Sequence, residues 1–297
     1  MILRRTLALG ALAVALLAVG ASPAGAITGN YEEDHIHTYV GLVAFYDEDD
    51  EFVGRCSGSL LSATVFITAG HCMEPSTGAT HARLWFQQDA GADYDPETET
   101  PASSGYPVAS DVMSHQIYNY GFDEWAGFPN THDVAIVILD EPITQTDQAE
   151  YVKSYASLVN VGELDRLATR RGHQNVTFTA SGYGISQSNP VQFVSFRERL
   201  MATQQLVDLR GAQADGYNIQ LTANRGNGKG GTCGGDSGGP GLYGATDIVV
   251  AVNSFGLNEW CRGVDFMYRL DQADVHSWIR STIGEARWSE ITLANLP

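Results

Sequence analysis

Residues 231–241 read "GTCGGDSGGPG", with Ser237 among four close glycines, Gly234, Gly235, Gly238 and Gly239. A serine hydroxyl is a poor nucleophile until a base takes its proton. A loop that presents such a serine folds its backbone tightly, which glycine permits. Backbone N–H groups beside the serine can then point at an oxyanion developing on a bound carbonyl. A Gly-rich stretch is also an ordinary flexible loop, so the chemical reading needs partners elsewhere.

Two segments supply them. "ITAGHC" (67–72) ends a strand-like run and presents His71 beside Cys72. "THDVAIVIL" (131–139) sets Asp133 immediately before an apolar strand. Alone, each has a plain structural reading: a satisfied histidine, and a strand-entry aspartate that bonds its own turn. Together they give a base, an acid and a nucleophile in the chain order His, Asp, Ser.

On "TAGHC", "HDVAIV" and "GDSGGP" the chain resembles the trypsin/chymotrypsin family of serine endopeptidases, over nearly all of residues 27–284. GDSGGP with TAGHC is a highly specific pair. The resemblance implies an all-β fold of two six-stranded antiparallel barrels packed side by side, with a C-terminal helix from about Gln272 to Ile283. It makes Ser237 the nucleophile, His71 its base, and Asp133 the group that holds the imidazole tautomer. The N–H groups of Gly235 and Ser237 would form the oxyanion hole. It pairs Cys56 with Cys72 and Cys233 with Cys261. "NSFG" (253–256) resembles the strand that pairs with substrate backbone, with Ser254 supporting the aspartate and Phe255 as an aromatic wall.

The same resemblance puts Gly231 at the base of the specificity pocket and Gly256 and Gly263 on its walls. Such a pocket is open and uncharged, which implies a large apolar residue rather than Arg or Lys on the acyl side of the cut bond. Asp265 lies close by, where a loop shift would carry its carboxylate in.

The start of the chain fits export. Arg4 and Arg5 precede an apolar run from Leu7 to Val19, and Ala24-Gly25-Ala26 offers small residues at a cleavage site. Residues 1–26 are therefore expected to be a signal peptide; the run is too short to span a bilayer with ease. In the family a newly freed N-terminus folds inward, and its ammonium pairs with the aspartate before the nucleophile. Here Ile27-Thr28-Gly29-Asn30 resembles that terminus and Asp236 is its partner, so signal cleavage after Ala26 would itself switch the enzyme on.

The remainder divides near residue 150 into an N-terminal barrel (27–150) and a C-terminal barrel with its helix (151–284). Residues 285–297 show no pattern and are expected as a surface tail. Strand-like runs lie at 39–46, 63–69, 81–86, 134–139, 176–184 and 247–255, with turn residues between them. "VGELDRLATRRG" (161–172) reads as a short helix. "DEDDE" (47–51) reads as a solvated hairpin turn.

The net charge is −18, and more negative once Arg4 and Arg5 leave with the signal. That excludes electrostatic attraction to nucleic acid or anionic membranes. Four cysteines in an exported chain suggest two disulfides, and composition alone leaves three pairings open. No C-x-x-C spacing suggests zinc, and the acidic stretch 89–105 lacks the spacing of a known calcium loop. His35 and His37 would share one strand face but lack a third ligand. No cofactor or metal is expected. Partners are protein or peptide substrates, and the protein is expected to be an extracellular monomer.

Two other classes compete. GDSGG also satisfies the G-x-S-x-G nucleophile elbow of a secreted esterase or lipase. That fold needs a strand before the serine, a helix after it, and the order Ser, acid, His. Here "NRGNGKGGTC" precedes the serine, Pro240-Gly241 follows, and the downstream histidine, His276, sits in a helical pattern. A catalytically inactive binding protein on the protease fold would normally have lost a triad member, and none is lost.

Overall fold

The computed structural model describes residues 27–91, 110–167, 175–189, 192–194 and 197–297, with 187–189 and 192–194 described by backbone alone. The expected signal peptide, most of the acidic stretch 89–105 and the second half of the 161–172 helical reading lie outside these residues.

The apolar runs become strands because their side chains fill two barrel interiors. In the first barrel β1 (Val40–Tyr46) pairs antiparallel with β2 (Phe52–Leu60) and with β4 (His81–Trp85). The strand β3 (Val65–Thr68) joins β2 to β7 (Ala135–Ile138). Closure comes from β5 (Met113–Ser114) on β4 and β6 (Gln116–Asn119) on β7, one strand interrupted at His115. The acidic segment 47–51 is the β1–β2 turn, where Asp47 accepts the N–H groups of Asp49 and Glu51.

The second barrel closes in the order β12 (Pro240–Tyr243), β9 (Thr177–Gly182), β10 (Leu200–Asp208), β11 (Asn218–Ala223), β14 (Gly263–Arg269), β13 (Ile248–Gly256) and back to β12. The expected architecture, two six-stranded antiparallel barrels and a C-terminal helix, is thus present. Helix α1 runs from Ala273 to Trp288, past the expected end at Ile283. Gly284 does leave helical geometry, with φ of 80°, but one further turn follows it.

Two pairings depart from the sequence reading. Residues 285–297 are not a loose tail: after α1 ends, β15 (Leu293–Ala294) lies parallel to β8 (Ser157–Val159), which in turn lies parallel to β13. Ile291 and Leu296 are buried there. The first described residues, expected in the N-terminal barrel, pair instead with the C-terminal half, in a small two-stranded sheet and then on the edge of the second barrel. Thr28 and Gly29 pair with Gly231 and Gly230, and Glu32 and Glu33 pair with Met201 and Leu200. Two-residue pairings carry no periodicity by which a sequence could announce them.

Candidate active site

His71 sits on the 3-10 turn Gly70–Met73 that ends β3, and the Cys56–Cys72 disulfide ties that turn to β2. Asp133 is fully buried one residue before Val134 leads into β7. The β3–β7 pairing therefore brings the two ends together. Asp133 Oδ1 accepts the His71 backbone N–H at 2.8 Å, and Oδ2 lies 2.9 Å from His71 Nδ1. The Ser254 hydroxyl, from β13 in the other barrel, donates to the same Oδ2. Burial alone would raise the Asp133 carboxyl, but the facing His71 and these hydrogen bonds hold it below its ordinary value. In turn burial disfavours a charged His71, and the Asp133 charge outweighs it and raises the imidazole.

Ser237 lies across the cleft, in the turn before β12. Glycine is required at two points here. Gly235 has φ of +91°. Gly238 has φ of +75°, and a Cβ on it would lie 2.0 Å from Thr68 Oγ1 and 2.6 Å from the Ala69 nitrogen. This is how GDSGG presses the Ser237 turn against the end of β3, just before the turn that carries His71. Ser57 completes the seam: its N–H donates to the Ser237 carbonyl at 2.8 Å and its hydroxyl to the Gly235 carbonyl at 2.8 Å. Sequence reasoning passed over Ser57, whose one signal was its place beside Cys56.

Among the described residues, no hydrogen bond joins the Ser237 hydroxyl to His71. Such bonds are often long before substrate arrives. Among the described residues, the N–H groups of Gly235 and Ser237 also make no hydrogen bond within the protein.

A cavity of about 500 Å³ opens beside Ser237, lined by Ser254, Phe255 and Gly256 among others. The second disulfide, Cys233–Cys261, closes one side of it. Gly231 and Gly263 are not in its lining. A Cβ on Gly231 would meet Ala223 and the Asp265 carboxylate, while Gly263, the first residue of β14, pairs with Ala223. The wall residue is instead Asp265, whose register opposite Gly256 turns it into the cavity without any loop shift. Its Oδ2 accepts the Thr232 N–H and the Gln204 amide, each at 2.6 Å. The pocket thus contains a carboxylate that the sequence reading left outside, so it is not the uncharged pocket expected. Burial pushes that carboxyl up to about 6 against these hydrogen bonds.

Ile27 is fully buried, and Thr28 lies against Gly231 behind the pocket. Asp236 is also fully buried, and its oxygens accept the N–H groups of Gly184 and Cys233. Burial raises its carboxyl to about 7, opposed by those N–H groups and by the charge of Arg55. Residue 26 precedes Ile27 in the full chain, so its nitrogen is an amide and no Ile27–Asp236 ion pair is formed.

Among the described residues, one group of possible metal ligands meets, Cys56, His71 and Cys72, and its two sulfurs are spent on the disulfide. The imidazoles of His35 and His37 turn to Glu33 and Asp34 respectively. No helix among the described residues is long and apolar enough to cross a membrane.

Two barrels with a His–Asp pair and a serine facing across their junction define the chymotrypsin-type serine protease fold. A family model described as Trypsin matches residues 29–279, and the chain belongs to the trypsin family. It is 27% identical over 210 residues to brachyurin of Leptuca pugilator, covering 69% of this chain and 77% of that one. It is 27% identical over 188 residues to ovochymase of Halocynthia roretzi, covering 62% of this chain but only 10% of that longer protein. The solved HL collagenase superposes with a TM-score of 0.61 at 18% identity, covering 89% of this chain and 99% of that one. At that identity the likeness carries the fold alone.

Proposed function

We propose that the protein is an exported serine endopeptidase that acts as a monomer through an acyl-enzyme on Ser237. The observation that supports this most is the buried Asp133, which holds His71 by two hydrogen bonds and accepts the hydroxyl of Ser254, a residue that lines the same cavity as Ser237. His71 takes the Ser237 proton as Oγ bonds to the substrate carbonyl carbon. The N–H groups of Gly235 and Ser237 receive the oxyanion. The carbon–nitrogen bond then breaks, and the proton passes from His71 to the leaving amine. Water, deprotonated by His71, next attacks the ester, and Ser237 recovers its proton as the acid leaves. No metal or cofactor is required.

On this reading signal cleavage exposes Ile27, whose ammonium pairs with Asp236 and orders the oxyanion turn. The small Gly256 and aromatic Phe255 favour an apolar residue on the acyl side of the cut bond, and Asp265 adds an ionisable group to that pocket. The deciding experiment compares the secreted protein with Ser237→Ala on peptide amides and on a short ester. We expect the variant to lose about 10³-fold or more in kcat. Equal rates for the two proteins would overturn the reading in favour of an inactive binding protein. Turnover of esters with none of peptide amides would favour an esterase.

A further inference from the structure

Glycine peptides rotate at little cost, and the turn before Ser237 contains two in succession, Gly234 and Gly235. Gly235 has φ of +91°, and its N–H serves an oxyanion only while it points outward from the turn. Two carbonyls decide that direction. The Gly234 carbonyl accepts the Ile185 N–H at 2.8 Å. In a planar trans peptide the N–H points opposite to the C=O, so this bond turns the Gly235 N–H away from Ile185. The Gly235 carbonyl accepts the Ser57 hydroxyl at 2.8 Å, which holds the peptide on the other side of Gly235.

That hydroxyl is fully committed. It accepts the Tyr183 N–H at 2.9 Å, so its one proton goes to Gly235. Ser57 is fully buried, and Gly182 closes over it: a Cβ there would lie 3.0 Å from the Ser57 oxygen. The Ser57 carbonyl in turn accepts the Thr68 hydroxyl at 2.7 Å, which fixes its own place in β2. Arg55 Nη1 donates to the Tyr183 carbonyl at 2.7 Å, so both backbone groups of Tyr183 are held from β2. Tyr183 and Ile185 both follow β9. One serine of the first barrel thus ties the Gly235 peptide to the segment that aims it.

The Asp236 carboxylate does not duplicate this tie. Its oxygens hold the Gly184 and Cys233 N–H groups, and neither reaches a backbone group of Gly235. Without the Ser57 hydroxyl the Gly235 carbonyl and the Tyr183 N–H are left facing each other's vacated partner, and rotation of the glycine peptides is their route to new ones. We infer that Ser57 is a positioning residue for the oxyanion hole, holding Gly235 with its N–H toward the substrate oxygen. The tie is already made while the Ile27 nitrogen is an amide, so it acts apart from the freeing of the N-terminus. This rests on the endopeptidase reading above.

The test measures the binding of a peptide aldehyde and of the matching peptide alcohol. The Ser237 O–H adds across the aldehyde carbonyl, giving a hemiacetal whose oxygen sits where the oxyanion forms. The alcohol forms no such bond and needs no oxyanion hole. Ser57→Ala should lower the preference for aldehyde over alcohol by about 10- to 100-fold and leave the alcohol's Kd within about threefold. Ser57→Gly removes the same hydroxyl without setting a methyl between the two polar groups, and should move the preference the same way. Because the readout is a ratio within one protein, an unfolded fraction cancels. A ratio that stays at the wild-type value overturns the inference, whether both ligands bind as before or both weaken together; the second case makes Ser57 a support for the fold alone. The endopeptidase reading fails separately, if the wild type binds the aldehyde no more tightly than the alcohol or if Ser237→Ala binds it equally well.

Discussion

Asp265 shows how one residue's surroundings set its chemistry. Buried at the pocket wall, its carboxyl titrates near 6. Below that pH it is neutral, and the pocket offers only small and apolar surface. Above it a negative charge faces the cavity and stabilises a cationic side chain. The ratio of kcat/KM for Arg or Lys over Leu p-nitroanilides should therefore rise with pH through about 6. The His71 titration acts on both substrates and cancels in the ratio. Asp265→Asn should flatten the profile, and a flat profile in the wild type would show that the Thr232 and Gln204 hydrogen bonds keep this carboxylate from the substrate. The position could not be found by motif. "CRGVDF" contains both Gly263 and Asp265, and only the register of β13 on β14 decides which faces the cavity. His71, Asp133 and Ser254 were legible because each stands beside a fixed landmark: a cysteine, an apolar strand and an aromatic-glycine pair.

Strands with strong apolar runs were legible to within a residue or two, because burial on both faces of a barrel wall needs such runs. What escaped were elements whose reason for existing lies elsewhere in the chain. The loop 121–130 carries Phe122, Trp125 and Phe128 at a spacing of three, yet it forms turns and no helix or strand. The strand β15 is two residues long and is specified by the edge of β8. It is held by the Leu158 and Asn160 N–H groups, which donate to the Thr292 and Ala294 carbonyls. Truncation after Ser289 removes the burial of Ile291 and Leu296, which stabilises by roughly 3–6 kcal/mol in all. We expect such a chain to melt on the order of 10 °C lower. Its turnover per folded molecule should be preserved, since neither residue reaches the cleft. A melting point unchanged by calorimetry would mean that α1 alone covers β8.

For the whole molecule, the ionisation of Asp236 links stability to the state of the N-terminus. Its carboxyl moves from 3.8 to about 7 on folding when no ammonium faces it. Between those values the folded chain binds more protons than the unfolded one, so stability falls as pH rises through that window. Asp265 adds the same sign up to about 6. In a chain beginning at Ile27, pairing should lower the Asp236 carboxyl and remove its share of the loss, on the order of a few kcal/mol. Melting curves should therefore diverge between about pH 4 and about pH 7 when a chain with two residues before Ile27 is compared with one starting there. Parallel curves would rule out the ion pair.

The pairing of residues 28–33 with strands some two hundred positions later also sets a timetable. These residues are synthesised well before Gly230, Gly231, Leu200 and Met201, which receive them. At about 5–20 residues per second, the gap is roughly 10 s or more. During that interval the first barrel can close with its leading segment undocked, and Ser237 does not yet exist. On the endopeptidase reading proposed above, activity is thus deferred until Ser237 has been made, and a nascent copy cannot digest its own earlier half before then.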